Sequence, residues 1–209
     1  MHEVIPGGEH HQGQHERQTD AEAIFLRALS ERHPKLGAHA AGVAELAQAL
    51  ARRMKLPENE VEQARLAGAL HEVGKMAIPD VILEKPEPLT DDERKFVQGH
   101  TLIGERILHA ATDLSYVAGI VRSTQERFDG AGYPDGLAGT SIPLVSRIVH
   151  VCDAFDAMTS QRPYANALTI EAALAELERH AGTQFDPVVV AAFAGVLADR
   201  GAPRVALAS

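Results

Sequence analysis

Apolar residues recur at three- and four-residue intervals along most of the chain, the spacing of helices that bury one face. Ile24, Leu26 and Leu29 mark a first helix. Pro34 suits the first turn of a second, which carries Val43, Leu46 and Leu50. Pro57 breaks that run, and a third helix with Val61, Leu66 and Leu70 is predicted to end at Gly74. An irregular stretch, 78–86, follows. Thr90 and Glu93 have the spacing of a capping box and are expected to open one helix bearing Phe96, Ile103 and Ile107. Another helix is expected over roughly 113–125. A glycine-rich loop runs from Phe128 to Ile142. Pro143 then starts a helix through about Met158, and Thr169 and Asp186-Pro187 open two more. No alternating strand pattern and no internal repeat is visible. The expectation is an all-α bundle of about seven to nine helices with no substantial sheet. It spans 19–199, between a flexible His-rich arm, 1–18, and a tail, 200–209.

Some polar residues share the apolar faces. His39 is in phase with Val43, Leu46 and Leu50. His71 follows Ala67 by one turn. His100 is in phase with Phe96, Ile103 and Ile107, and Asp153 with Val145, Val149 and Asp156. Any one such histidine fits a hydrogen-bonded core. An inward carboxylate needs a partner or a metal, because an unpaired buried charge is costly. Convergence on a divalent metal accounts for all four, and the His71-Glu72 doublet adds imidazole nitrogen and carboxylate oxygen at one helix end.

Composition narrows the functional classes. The 209 residues are 45% hydrophobic, enough for a real core. A formal net charge of −9 disfavours a nucleic-acid binder, which needs a basic footprint. An anionic substrate then needs a metal or a few placed cations. The single cysteine, Cys152, permits no internal disulfide and reads as a buried helix residue. No apolar run is long enough for a membrane span and no signal-peptide core is present, so the cytoplasm is expected.

At this point the residues resemble a known family. His71-Glu-Val-Gly-Lys75 followed by Ile78-Pro-Asp80 is similar to the His-Asp-Ile-Gly-Lys…Ile-Pro-Asp motif of HD-GYP domains. Lys85-Pro-Glu-Pro-Leu-Thr90, Gly99-His100 and Glu126-Arg-Phe-Asp-Gly-Ala-Gly-Tyr-Pro134 follow in family order. Ile142-Pro143, Arg147-Ile148, Asp153 to Thr159, Arg162-Pro-Tyr164 and Gly182-Thr-Gln-Phe-Asp-Pro187 complete the match. The resemblance implies an HD-domain helical bundle and a metal-dependent phosphodiesterase that hydrolyses cyclic di-GMP, to pGpG or GMP, or a related nucleotide. It places His39, His71, Glu72 and Asp153 at a first metal position and His100 at a second. It puts Lys75, with Glu72, in the catalytic machinery. Lys75, Gly132, Tyr133, Pro134 and Arg162 are implied to contact substrate.

Four departures touch this site. The doublet carries Glu72 where the family has aspartate. Thr124-Gln125 replaces a His-His pair, and neither is a good transition-metal ligand. Lys35 stands where members with three metals have a glutamate, and Ala165 where a basic residue is usual. The metal expected is iron or manganese, one ion rather than two. Three readings stay open: a single-metal cyclic di-GMP phosphodiesterase of reduced activity, a degenerate non-catalytic module that binds nucleotide or a signalling partner, and a phosphohydrolase of smaller substrates. A diguanylate cyclase or a separate sensor protein is the expected partner, with no nucleic acid and no membrane.

Overall fold

The computed structural model describes residues 9–160 and 167–201, and the side chains of 20–160 and 167–200. Among the described residues there are nine α-helices of eight residues or more and a one-turn helix, and no strand. They are α1 (Glu9–Arg32), α2 (Pro34–Arg53), α3 (Glu58–Leu70), the single turn α4 (Asp80–Leu83), α5 (Asp91–Gln98), α6 (His100–Ala110), α7 (Ser115–Arg122), α8 (Leu144–Thr159), α9 (Ile170–Arg179) and α10 (Pro187–Gly201). The expected all-α architecture is what the chain adopts. The expected arm, 1–18, falls partly on α1 and partly outside the described residues, as does most of the tail. No helix among the described residues is long and apolar enough to cross a membrane.

The centre of the bundle is α2, which packs on α1, α3, α8 and α10. Its buried stripe is rich in small residues, including Ala40, Ala44, Ala47 and Ala51. That stripe lets α3 approach closely, so that a methyl group on Gly68 would lie 2.9 Å from the Ala44 Cα. His39 on α2, His71 at the end of α3 and Asp153 on α8 therefore face one another across a narrow gap. Arg65 braces α1 against α3 through paired hydrogen bonds to Glu22, at 2.6 and 2.7 Å.

Two predicted elements differ. The helix expected to begin at Thr90 does open there, with the full capping box, but it ends at Gln98 and restarts at His100. Gly99, a poor helix former, sits at the junction with ψ near −9°. The break removes Phe96 from the stripe it was expected to share, and Phe96 is 49% exposed. The buried face of α6 is His100, Thr101, Gly104 and Leu108. The second difference lies after α3, which ends at Leu70. A 3-10 turn, Val73–Ala77, then carries the chain away from the His71-Glu72 doublet.

That turn packs on α6. A Cβ on Gly74 would lie 1.9 Å from the His100 carbonyl oxygen, so only glycine lets Glu72 and His100 come into one neighbourhood. Gly74→Ala is expected to destabilise the fold by about 3 kcal/mol through forced separation of the turn from α6. Denaturant unfolding of the two proteins measures this, and an unshifted midpoint would contradict the close approach.

Candidate metal centre

Asp153 lies in the middle of α8 and is the shared partner of the cluster. His39 Nε2 is 3.0 Å from Asp153 Oδ1, and His39 Nδ1 donates to Asp156 Oδ2 at 2.6 Å. His71 Nε2 lies 3.8 Å from the same Asp153 oxygen and 3.7 Å from Glu72 Oε1. The ligand atoms of His39, His71 and Glu72 all fall within 4.8 Å of one another. Four of the residues expected at the metal are thus brought together. His100 lines the same cavity, and Lys75 donates to Glu72 Oε1 at 2.6 Å.

The protonation of the cluster follows from its burial and its partners. Burial opposes charge on His39, but the hydrogen bonds to Asp153 and Asp156 carry its pKa up to about 9. Burial likewise opposes charge on His71, and Asp153 and Glu72 outweigh it. Burial would raise the Glu72 pKa, yet Lys75 and the nearby imidazoles pull it down to about 2. Asp153 is buried too, and His39 and His71 hold it well below the ordinary carboxylate range. Burial pushes His100 down, so it stays neutral.

Several atoms in this neighbourhood lack any partner. His71 Nδ1 donates to the Gly68 carbonyl at 2.7 Å and His100 Nδ1 to the Val97 carbonyl at 2.8 Å. Each bond leaves Nε2 buried without a hydrogen-bond partner, and Glu72 Oε2 is buried and unpartnered as well. Buried polar atoms are rarely left so. Imidazole nitrogens and carboxylate oxygens are the donor set of a divalent first-row metal, and the residues present fit such an ion.

The cavity around these groups has a volume of about 920 Å³. Its far wall comes from the loop between α7 and α8 and from the segment before α10. Glu126, buried, accepts from the backbone N–H groups of Asp135 at 2.7 Å and Leu137 at 3.1 Å, which curls that loop. Arg122 grips Asp135 with two bonds of 2.7 Å. A Cβ on Gly132 would come within 2.2 Å of the Arg127 nitrogen, so glycine is required there. The loop presents Tyr133 to the cavity, while Gly132 and Pro134 belong to the turn that carries it and not to the lining. Thr124 Oγ1 donates to the Val121 carbonyl at 2.9 Å, and the Gln125 amide to Asp153 Oδ2 at 3.0 Å. Arg162 and Ala165 lie outside the described residues.

A family model described as HD domain matches residues 24–189. The chain belongs to the HD domain family. Its motif order is that of the HD-GYP type. This HD domain is 41% identical over 174 residues to a protein named cyclic di-GMP phosphodiesterase response regulator of Xanthomonas campestris, covering 82% of this chain and 46% of that one. It is 44% identical over 156 residues to a cyclic di-GMP phosphodiesterase of Pseudomonas aeruginosa, covering 74% of this chain and 37% of that one. The chain therefore spans less than half the length of either relative. Among solved structures, a cyclic GMP-AMP specific phosphodiesterase of V. cholerae matches with a TM-score of 0.67 at 18% identity, over 88% of this chain and 49% of that one. That likeness establishes the fold.

Three residues of this HD domain escaped the sequence reading as site residues. Asp156 and His150 flank Asp153 at three-residue steps on α8, and all three line the cavity. The spacing was a usable signal. Gln184 reaches the cavity only because Phe128 N–H bonds the Gln184 carbonyl at 3.1 Å and Asp129 N–H the Thr183 carbonyl at 2.7 Å, a loop pairing without a local signal.

Asp156 orients the His39 ring without joining the ligand atoms, and Asp156→Asn is expected to weaken metal binding by roughly ten- to a hundredfold. Binding must also displace the proton that His39 holds up to a pKa of about 9. Affinity is therefore expected to rise with pH toward 9 and fall below it, with protons released as the ion binds. Calorimetric titration in buffers of different ionisation heat checks both, and a pH-independent affinity would refute the proton linkage.

Proposed function

We propose that this chain is a metal-dependent phosphodiesterase that hydrolyses cyclic di-GMP, to pGpG or GMP, or a related cyclic dinucleotide. The observation that carries the reading is the cluster of His39, His71, Glu72 and Asp153 beside one cavity, with buried polar atoms that lack a partner and that a cation would satisfy. The names of the relatives supply the substrate class. A cavity of about 920 Å³ suits a ligand of dinucleotide size.

His39, His71, Glu72 and Asp153 would hold a divalent ion, with His100 beside them. When bound, such an ion offsets phosphodiester charge and activates the attacking water. Iron or manganese suits the mixed nitrogen and oxygen donors. One ion rather than two fits the engagement of Thr124 with the Val121 carbonyl and of Gln125 with Asp153. Asp156 fixes the orientation of the His39 ring by accepting a hydrogen bond from its Nδ1–H. Lys75 holds the Glu72 carboxylate and presents an ammonium to the cavity, where a phosphate oxygen draws on the same charge. Tyr133 stands opposite, its hydroxyl kept protonated by burial. Arg162 is assigned to substrate from the motif match alone. The domain boundaries at 19 and 199, a cytoplasmic setting and regulation by a separate sensor or a diguanylate cyclase complete the reading.

Protein loaded with manganese or iron(II) is expected to convert cyclic di-GMP to pGpG and GMP, and Glu72→Ala to lower turnover by at least about a hundredfold. Chromatographic product analysis checks this. Nucleotide binding without turnover in either metal would instead identify a non-catalytic module, the outcome that the engagement of Thr124 and Gln125 favours.

A further inference from the structure

Three side-chain hydrogen bonds among the described residues join α8 to α7 and the turn that follows it. Ser146 Oγ donates to the Ile120 carbonyl at 2.8 Å, and His150 Nδ1 to the Thr124 carbonyl at 2.9 Å. The third lies one turn farther along α8, where Asp153 Oδ2 accepts from Gln125 Nε2 at 3.0 Å. In the first two, α8 supplies the side chain and its partner only backbone. In the third the turn reaches out with a side chain of its own, and what it grasps is a carboxylate assigned above to the metal.

That carboxylate needs a hold. Rotation about the bond to a carboxylate is soft, so its hydrogen bonds fix its plane more than its rotamer does. Asp153 Oδ1 is engaged by His39, at 3.0 Å, with His71 at 3.8 Å. Gln125 takes the other oxygen, so the two atoms are divided between the ligand cluster and the turn. A carboxylate only accepts, which fixes the amide nitrogen as the atom that faces it. An amide suits the position because it is neutral. It donates without cancelling the charge that an ion draws on, whereas a lysine or arginine in its place would compete for that charge.

The backbone of Gln125 has a second task. Its carbonyl accepts from the Tyr133 N–H at 3.2 Å. Gly132 lets the loop settle onto it, since a Cβ there would lie 2.7 Å from the same carbonyl oxygen. Gln125 is flanked by the buried Thr124 and Glu126 and lines the cavity. Its side chain thus touches Asp153 while its main chain carries the loop of the cavity tyrosine.

We propose that Gln125 is a positioning residue that ties Asp153 to the loop bearing Tyr133, so that one residue sets both the orientation of a metal-ligand carboxylate and the seat of the facing loop. The role of Asp153 as a ligand comes from the metal-dependent reading above, on which this rests, but no catalysis is required. Loss of the amide must then be felt in two places, at the metal and at the Tyr133 N–H.

Gln125→Met keeps the length of the side chain and removes the donor. Calorimetric titration with manganese(II) is expected to show an affinity lower by roughly ten- to a hundredfold, with the number of ions per chain unchanged. Hydrogen exchange in the metal-free protein is expected to be faster at the Tyr133 amide and unchanged at the Asp135 and Leu137 amides, which Glu126 holds. An unaltered manganese affinity would overturn the proposal. So would a weakened affinity with Tyr133 exchange unaltered, which would make Gln125 a contact of the ion alone, and so would equal acceleration of all three amides, the sign of general loosening. Should Gln125→Met not fold, Gln125→Asn, which keeps an amide but withdraws it by one methylene, carries the same comparison. Unmodified protein that binds no manganese would overturn the proposal together with the metal reading. Protein that binds manganese with this dependence on Gln125 but hydrolyses no cyclic dinucleotide would remove the phosphodiesterase reading and leave the tether standing.

Discussion

A carboxylate withdrawn from water has to find compensating charge, and Asp153 is such a carboxylate. It sits in mid-helix on α8, where backbone groups are already paired and offer it nothing. Its compensation comes from other elements: the His39 imidazole from α2, the His71 edge from the end of α3, the Gln125 amide from the loop after α7. Each donor is useful only if its helix stands at the right distance. The alanine-rich face of α2 and the absence of a side chain at Gly68 set that distance. Packing of small residues and pairing of a buried charge are thus two sides of one constraint.

The same logic extends outward in polar shells. His39 is held by Asp156, Glu72 by Lys75, and His71 and His100 by carbonyls one turn behind them in their own chain segments. Farther out, Glu126 and Arg122 shape the glycine loop, and Asp186 binds Arg147 on α8 while capping α10 through the Val188 N–H. Ligand geometry at a metal tolerates little error, and rings whose far nitrogens are already hydrogen-bonded cannot swing. The carboxylate of Glu72, a residue one methylene longer than aspartate, is held in this frame by Lys75.

How much of this was legible in the sequence depends on the kind of contact. Helical phase alone turns His39 and Asp153 inward, because both lie within uninterrupted helices. Phe96 falls off the expected stripe because the helix breaks at Gly99. His150 and Asp156 were legible in principle, at three-residue steps from Asp153, but helical phase does not say whether a polar residue on a buried face is a partner or a bystander. Gln184 was not legible by any local rule. It arrives at the cavity through two backbone bonds between loops more than fifty residues apart in sequence. The family motif order supplied the ligand set as a whole, which periodicity by itself left open.

The lysine that grips Glu72 and the two histidines that share Asp153 have a consequence for the charge of the cluster. The folded chain carries its own counterions. Mutual repulsion of buried carboxylates is answered here by an ammonium and by protons on imidazole. The cluster therefore balances much of its own charge, and the positions of His39, Glu72 and Asp153 are fixed by contacts within the chain.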